Sequence, residues 1–151
     1  KILSLAKQRS LERKVLSIEW VDRDIFDDQN KLEYFDGAVM AYGLRNLHDP
    51  FEGLKRIRSF LKSGGRAGVL DFNRNPDNSI ADLFQKYYLT KLVIPLASNI
   101  GFKEHFNYLI ESINNFPDAK SQEKLALEAG FNNAKYYPIA LKQMGILILK
   151  N

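Results

Sequence analysis

The chain has 151 residues, is 45% hydrophobic, and carries 22 basic against 18 acidic residues for a net charge of +4. That length suits one domain with a real core, and the charge is mild and dispersed, with no basic block of the kind that tracks nucleic acid. With no cysteine there are no disulfides, thiol nucleophiles or cysteine-ligated zinc. The two histidines, His48 and His105, lie far apart in sequence, so no metal site is expected. No apolar run approaches the ~20 residues that span a bilayer.

Residues 1–13 read as a helix with Ile2, Leu5 and Ala6 on one face and Lys7, Arg9 and Glu12 on the other. It looks already under way at Lys1, without a cap or an initiator Met, so upstream residues are expected. Val15 to Val21 (VLSIEWV) alternates like a strand and ends in the acidic stretch around Asp24. Asp24 is either a solvated loop acid or a carboxylate that accepts a hydrogen bond from an amine such as adenine N6.

Phe35 to Tyr42 is the second expected strand, apolar enough for a parallel strand covered on both faces. It stops at Gly43, and Arg45-Asn46 follows. Open α/β sheets place ligands outside the carboxyl ends of their strands, so Arg45 and Asn46 are expected at the mouth of the sheet. A guanidinium fork and an amide there suit a carboxylate, phenolate or quinol oxygen. The plainer alternative is that Arg45 pairs with Asp49 or Glu52.

Asp49-Pro50-Phe51-Glu52 is a helix start: a cap, a proline at the first position and an acid in the first turn. Leu54, Ile57, Phe60 and Leu61 make its apolar stripe, and Gly64-Gly65 is expected to end it. These glycines are no phosphate loop, because no Lys-Ser/Thr follows. Arg66 to Phe72 is a third strand. Asp71 and Asn73 at its end are candidates for the same mouth, Asp71 alternatively being a buried carboxylate bonded to backbone amides.

Residues 77–116 hold no strand pattern. Ile80, Leu83, Phe84, Tyr87, Tyr88 and Leu92 recur at helical spacing, Ile94-Pro95-Leu96 breaks the run, and His105 to Asn115 reads as a second helix. Phe84, Tyr87, Tyr88, Phe102, Phe106 and Tyr108 either wall a pocket for a flat apolar substrate or simply pack on the sheet. His48 beside Asp49 has no serine or cysteine nucleophile to complete a dyad. Further on, Ser121 is expected to cap a helix ending at Gly130. Phe131 to Ile139 and Met144 to Lys150 are strands whose short connection forces them antiparallel. The order is that of the second half of a doubly wound α/β sheet.

The runs AYGLRNLHDP, LKRIRSFLKSGGRAGVLDF, YLIESINNFP and LALEAGF, in this order, resemble the S-adenosylmethionine-dependent C-methyltransferases of quinone biosynthesis. Tyr42 before GLRN, and LDFN at 70–73, look like the cyanobacterial and plastid branch. The resemblance implies a Rossmann-like class I methyltransferase sheet with parallel strands, an antiparallel last strand and a helical insertion. It also implies that a glycine loop and two strands belong ahead of residue 1, so the chain is expected to be one methyltransferase domain lacking its N-terminal half.

By resemblance, Asp24 and Ile25 lie beside the adenine of S-adenosylmethionine, although Ile25 departs from the family's small residue. Ala41 and Tyr42 lie near the cofactor, and Arg45 and Asn46 at the methyl acceptor. Asp71, Asn73, Tyr87, Tyr88, Tyr108 and Ser112 are the expected substrate-binding residues. The expected partners are a prenylated quinol, a bilayer touched peripherally and a second copy in a homodimer, with no nucleic acid. The branch suggests a plastid, or the cytoplasm of a bacterium. A class I methyltransferase with a soluble acceptor and a non-catalytic subunit binding prenyl lipid or a partner remain the alternatives.

Overall fold

The structure, a computed structural model, describes residues 2–15, 17–27, 32–77, 79–88, 91 and 103–151, without the side chains of Tyr88 and residues 103–107. They fall into two compact units, Lys1–Asn30 and Lys31–Asn151.

In the first unit, α1 (Ile2–Glu12) forms where the periodicity places it, with Gln8 Nε2 donating to Glu12 Oε1 one turn on at 3.0 Å. Its apolar residues are not buried: Ile2, Leu5 and Leu11 are all exposed. The strand expected over Val15 to Val21 is absent among the described residues. Alternation makes a segment competent for a sheet, but its backbone donors and acceptors need a neighbouring strand, and the unit describes no second one.

The second unit holds a four-stranded sheet in the order β1-β2-β4-β3. β1 (Phe35–Ala41) runs parallel to β2 (Leu61–Phe72). β4 (Met144–Lys150) pairs antiparallel with both β2 and β3 (Asn133–Ile139). α2 (Pro50–Phe60) makes the crossover from β1 to β2. α3 (Ile80–Tyr88), α4 (Lys103–Asn115) and α5 (Ala119–Glu128) lie between β2 and β3.

α2 starts as the residues dictate. Asp49 is its cap, accepting from the backbone of Phe51 and Glu52, and Leu54 and Ile57 are buried. The helix ends earlier than expected. Leu61 is already extended and opens β2, so Gly64-Gly65 sit inside the strand. Gly64 does take the left-handed conformation (φ +75), but at an irregularity where β2 slips against β1 and where its N–H meets the Asn151 carbonyl at 2.9 Å. The cap of α5 is Asp118, which accepts from Ser121 N–H at 2.8 Å, and not Ser121. Gly130, at φ +97, ends that helix as expected.

One face of the sheet is the core. Ala67 and Val69 of β2, Leu147 and Leu149 of β4 and Tyr136 of β3 are buried there, together with Leu54 and Ile57 of α2 and Ala126 of α5. The other face is not covered as a two-sided parallel strand would require: Val39 is 90% exposed. α3 also departs from expectation. Its apolar residues Ile80, Leu83, Phe84 and Tyr87 point outward, and Asp82 and Gln85 are the buried ones. Gln85 Nε2 donates to the Asn73 carbonyl at 3.1 Å, so the polar face is the one the sheet end holds. Leu92, Ile94 to Leu96 and Phe102 lie outside the described residues, as does the Phe106 side chain.

Candidate active site

At the end of β1 the chain must turn sharply. Tyr42 does this in the left-handed region (φ 55), its N–H still bonded to the Leu70 carbonyl at 2.8 Å. A non-glycine residue there stores strain of order 1 kcal/mol, which the surrounding contacts must hold. A single 3-10 turn, Leu44–Asn46, follows. Leu44 is fully buried, and Gly53 of α2 leaves the space that Leu47 occupies. With Leu44 anchored, the next residue, Arg45, lies over the carboxyl end of β2.

Arg45 is fixed from two sides. Its backbone N–H donates to Asp71 Oδ2 at 3.1 Å and its Nε to Asp71 Oδ1 at 3.2 Å. Both side chains are nearly buried, 6% and 3% exposed. Nη1 donates to Ser112 Oγ, which in turn donates to the Leu109 carbonyl at 2.8 Å within α4. The Phe72 ring lies 5.6 Å from the guanidinium carbon. Nη2 has no protein partner among the described residues. The expected alternative partners, Asp49 and Glu52, are engaged elsewhere, as cap of α2 and with Lys55.

Asn46 bridges two elements. Its Nδ2 donates to the Tyr42 carbonyl at 2.8 Å, and its Oδ1 accepts from the Tyr108 hydroxyl of α4 at 3.2 Å. Tyr42 lies against Phe72, ring centres 5.7 Å apart, and its hydroxyl reaches Met144 Sδ at 3.3 Å.

Beside this pair is a cavity of about 290 Å³ lined by Arg45, Leu47, His48, Tyr108, Ser112 and Phe116, with Pro50, Glu111 and Asn115. Of the expected substrate residues, Tyr108 and Ser112 line it directly. Asp71 stands behind Arg45, bonded also to the Phe72 amide at 2.8 Å, so the backbone-bonded alternative holds for it alongside the ion pair. Asn73 is turned elsewhere. Its amide donates to Asn75 Oδ1 and to the Lys142 carbonyl, and it lines a different cavity, of about 450 Å³. Tyr87 lies exposed on α3 and lines neither. The Tyr88 side chain lies outside what is described.

Asp24 is exposed and caps its own turn, accepting from Phe26 N–H at 2.9 Å. Ile25 is half-buried beside it. Both belong to the first unit, whereas Ala41 and Tyr42, exposed at the end of β1, belong to the second. Glu111, Asn115 and Phe116 escaped the sequence reading. Helical spacing alone groups 108, 111, 112 and 115 on one face of α4, which was the available signal.

The fold is shared with solved methyltransferases. A SAM dependent methyltransferase from Aquifex aeolicus superposes with a TM-score of 0.64 at 9% identity, over 98% of this chain and 62% of that one. The CurJ carbon methyltransferase does so with 0.63 at 14%, over 98% and 38%. Among curated sequences, the 2-phytyl-1,4-naphtoquinone methyltransferase of Trichormus variabilis is 40% identical over 149 residues, 98% of this chain and 65% of its own length. The chloroplastic 2-phytyl-1,4-beta-naphthoquinone methyltransferase of Arabidopsis thaliana is 36% identical over 131 residues, 87% of this chain and 50% of its own. The chain thus spans less than two thirds of the length of these relatives. The sequence pattern of the ubiE/COQ5 methyltransferases matches residues 1–148, and the chain belongs to that family.

Proposed function

We propose that this chain is part of an enzyme that moves a methyl group from S-adenosylmethionine to a ring carbon of a prenylated naphthoquinol, of the demethylphylloquinol type. The observation that carries this reading is Arg45, a guanidinium held by Asp71 and Ser112 with Nη2 left over, on the wall of a cavity near the lower end of small-molecule sites. The names of the relatives support the acceptor class.

The residues at the end of β1 fit a bound sulfonium nucleoside. Ala41 is small and exposed, and the Tyr42 ring, 43% exposed, offers a face to a cation. When bound, S-adenosylmethionine supplies an electrophilic methyl group.

The chain's own residues act on the acceptor. Arg45 Nη2 donates to the ring oxygen and stabilises the charge that develops as its proton leaves. A guanidinium has no lone pair to take that proton, so it passes to water. Losing the proton pushes electron density to the adjacent ring carbon, and once that carbon is methylated its own hydrogen leaves as a proton to water, which restores the aromatic ring. Asn46, tied to Tyr42 on one side and Tyr108 on the other, keeps the strand end and α4 at a fixed spacing, so that ring carbon and donor meet in line. The outward apolar face of α3 suits a peripheral contact with the bilayer that holds the prenyl tail.

The test uses the full-length protein with the naphthoquinol, with and without lipid vesicles. Methyl transfer is expected, raised by vesicles, and calorimetry should show S-adenosylhomocysteine binding. Arg45→Ala and Arg45→Lys are each expected to lower turnover about 100-fold. No binding of S-adenosylhomocysteine, or full turnover in Arg45→Ala, overturns the reading.

A further inference from the structure

Tyr136 is buried, 8% exposed, and its hydroxyl has no hydrogen-bond partner among the described residues. A buried hydroxyl without a partner is costly, so the group calls for a reason. The sheet supplies one. Tyr136 points to the core face from β3, opposite Leu147, and its ring leans along β4 onto Gly145. The contact is so close that a Cβ at Gly145 would clash with the phenol Cζ and Oη. Gly145 is the direct cross-strand partner of Asp71. The hydroxyl therefore lies over the strand position paired with Asp71, on the same face of the sheet as the residue that holds Arg45.

Asp71 has one acceptor position to spare. Oδ1 takes the Phe72 amide and Arg45 Nε, while Oδ2 takes only the Arg45 amide. A carboxylate offers about four lone-pair directions. Burial, and then the Asp71 charge, push the Tyr136 phenol above its usual range, so it is a neutral donor.

We propose that Tyr136 is a positioning residue for the Arg45–Asp71 pair, its hydroxyl donating to Asp71 Oδ2 through one bridging water. Both ends are polar, buried and on one face of the sheet, the setting in which a bridging water is held. With the carboxylate held on its far side, its near side stays aligned with the guanidinium, and Nη2 stays aimed at the acceptor. The role rests on the methyl-transfer reading above, and the experiment separates the two.

In the full-length protein, Tyr136→Phe keeps the ring on Gly145 and removes only the hydroxyl. It is expected to lower kcat about fivefold, the scale of one hydrogen bond, with both KM values unchanged. In an Asp71→Asn background the same change is expected to have no further effect, because the two residues act as one unit. Independently of turnover, the Arg45 Nε–H resonance in a ¹⁵N spectrum is expected to move in Tyr136→Phe. An unmoved resonance, or an equal loss of kcat in both backgrounds, overturns the proposal. If the wild-type protein transfers no methyl group, the methyl-transfer reading falls and the resonance still decides the role of Tyr136.

Discussion

A guanidinium that is nearly buried has to be neutralised, and Asp71 does this for Arg45 at 3.2 Å. Removing either partner leaves a buried charge uncompensated, at a cost of about 3–5 kcal/mol. Loss of activity in Arg45→Ala therefore mixes chemistry with stability, which is why Arg45→Lys belongs beside it: it keeps the charge but loses the planar fork that meets Asp71 and Ser112 together. Gly145 makes the other residue-scale case. Its φ is ordinary, so its backbone does not require glycine. The requirement is the Tyr136 ring lying on its Cα. Gly145→Ala is expected to destabilise the protein by about 2–3 kcal/mol, as overpacking does, because a ring atom would have to move by the width of a methyl group. Thermal unfolding measures it, and an unchanged midpoint would show that the ring moves aside without strain.

Among the elements, α5 offers the cleanest test of a cap. Asp118 accepts from the Ser121 amide, and that hydrogen bond, with lesser help from Arg74 and Lys120, holds its carboxyl below the usual carboxylate range. A lowered folded-state value means that the stabilisation is complete above the unfolded value, near pH 3.9, and is lost as pH falls through the folded one. Asp118→Ala is thus expected to cost about 1 kcal/mol at pH 7. The gap in unfolding midpoint between the two chains should close below about pH 4, and a gap independent of pH would show that the carboxylate is not the source. Some of these elements were legible in the sequence and some were not, for physical reasons. The Asp49-Pro50 start, the antiparallel last pair and Arg45 at a strand end follow from local rules that tertiary contacts did not disturb. In α3 the helical spacing groups Ile80, Leu83, Phe84 and Tyr87 correctly, but that face turns outward. Periodicity groups residues without saying which group meets the sheet, and here Asn73 and Gln143 draw Gln85 and the Ala81 carbonyl inward. The segment at 15–21 alternates correctly yet has no strand to pair with among the described residues. Tyr136 escaped altogether, because its importance depends on Gly145 and Asp71, which only the sheet register brings beside it. The glycine second in MGILILK was the one visible sign.

At the scale of the whole molecule, the second unit's sheet has two unlike faces. Strand alternation puts Ala67, Val69, Leu147 and Leu149 on the side under α2 and α5, and Val39, Leu70, Ile146, Ile148 and Tyr137 on the other. On that other side Val39 is 90% exposed, Tyr137 52% and Ile148 39%. β1 is also an edge strand among the described residues. An apolar edge strand beside an apolar face is the arrangement that pairs chains with one another. The 151-residue chain on its own is therefore expected to associate as its concentration rises, seen by light scattering. Val39→Lys should suppress that association, because a charge on the open face opposes stacking and edge pairing alike. Since nothing is packed on Val39, the unfolding midpoint should stay within what about 0.5 kcal/mol allows. A Val39→Lys chain that associates as readily as the wild type would place the contact elsewhere. One that loses several kcal/mol of stability would show that the side chain is packed and not open.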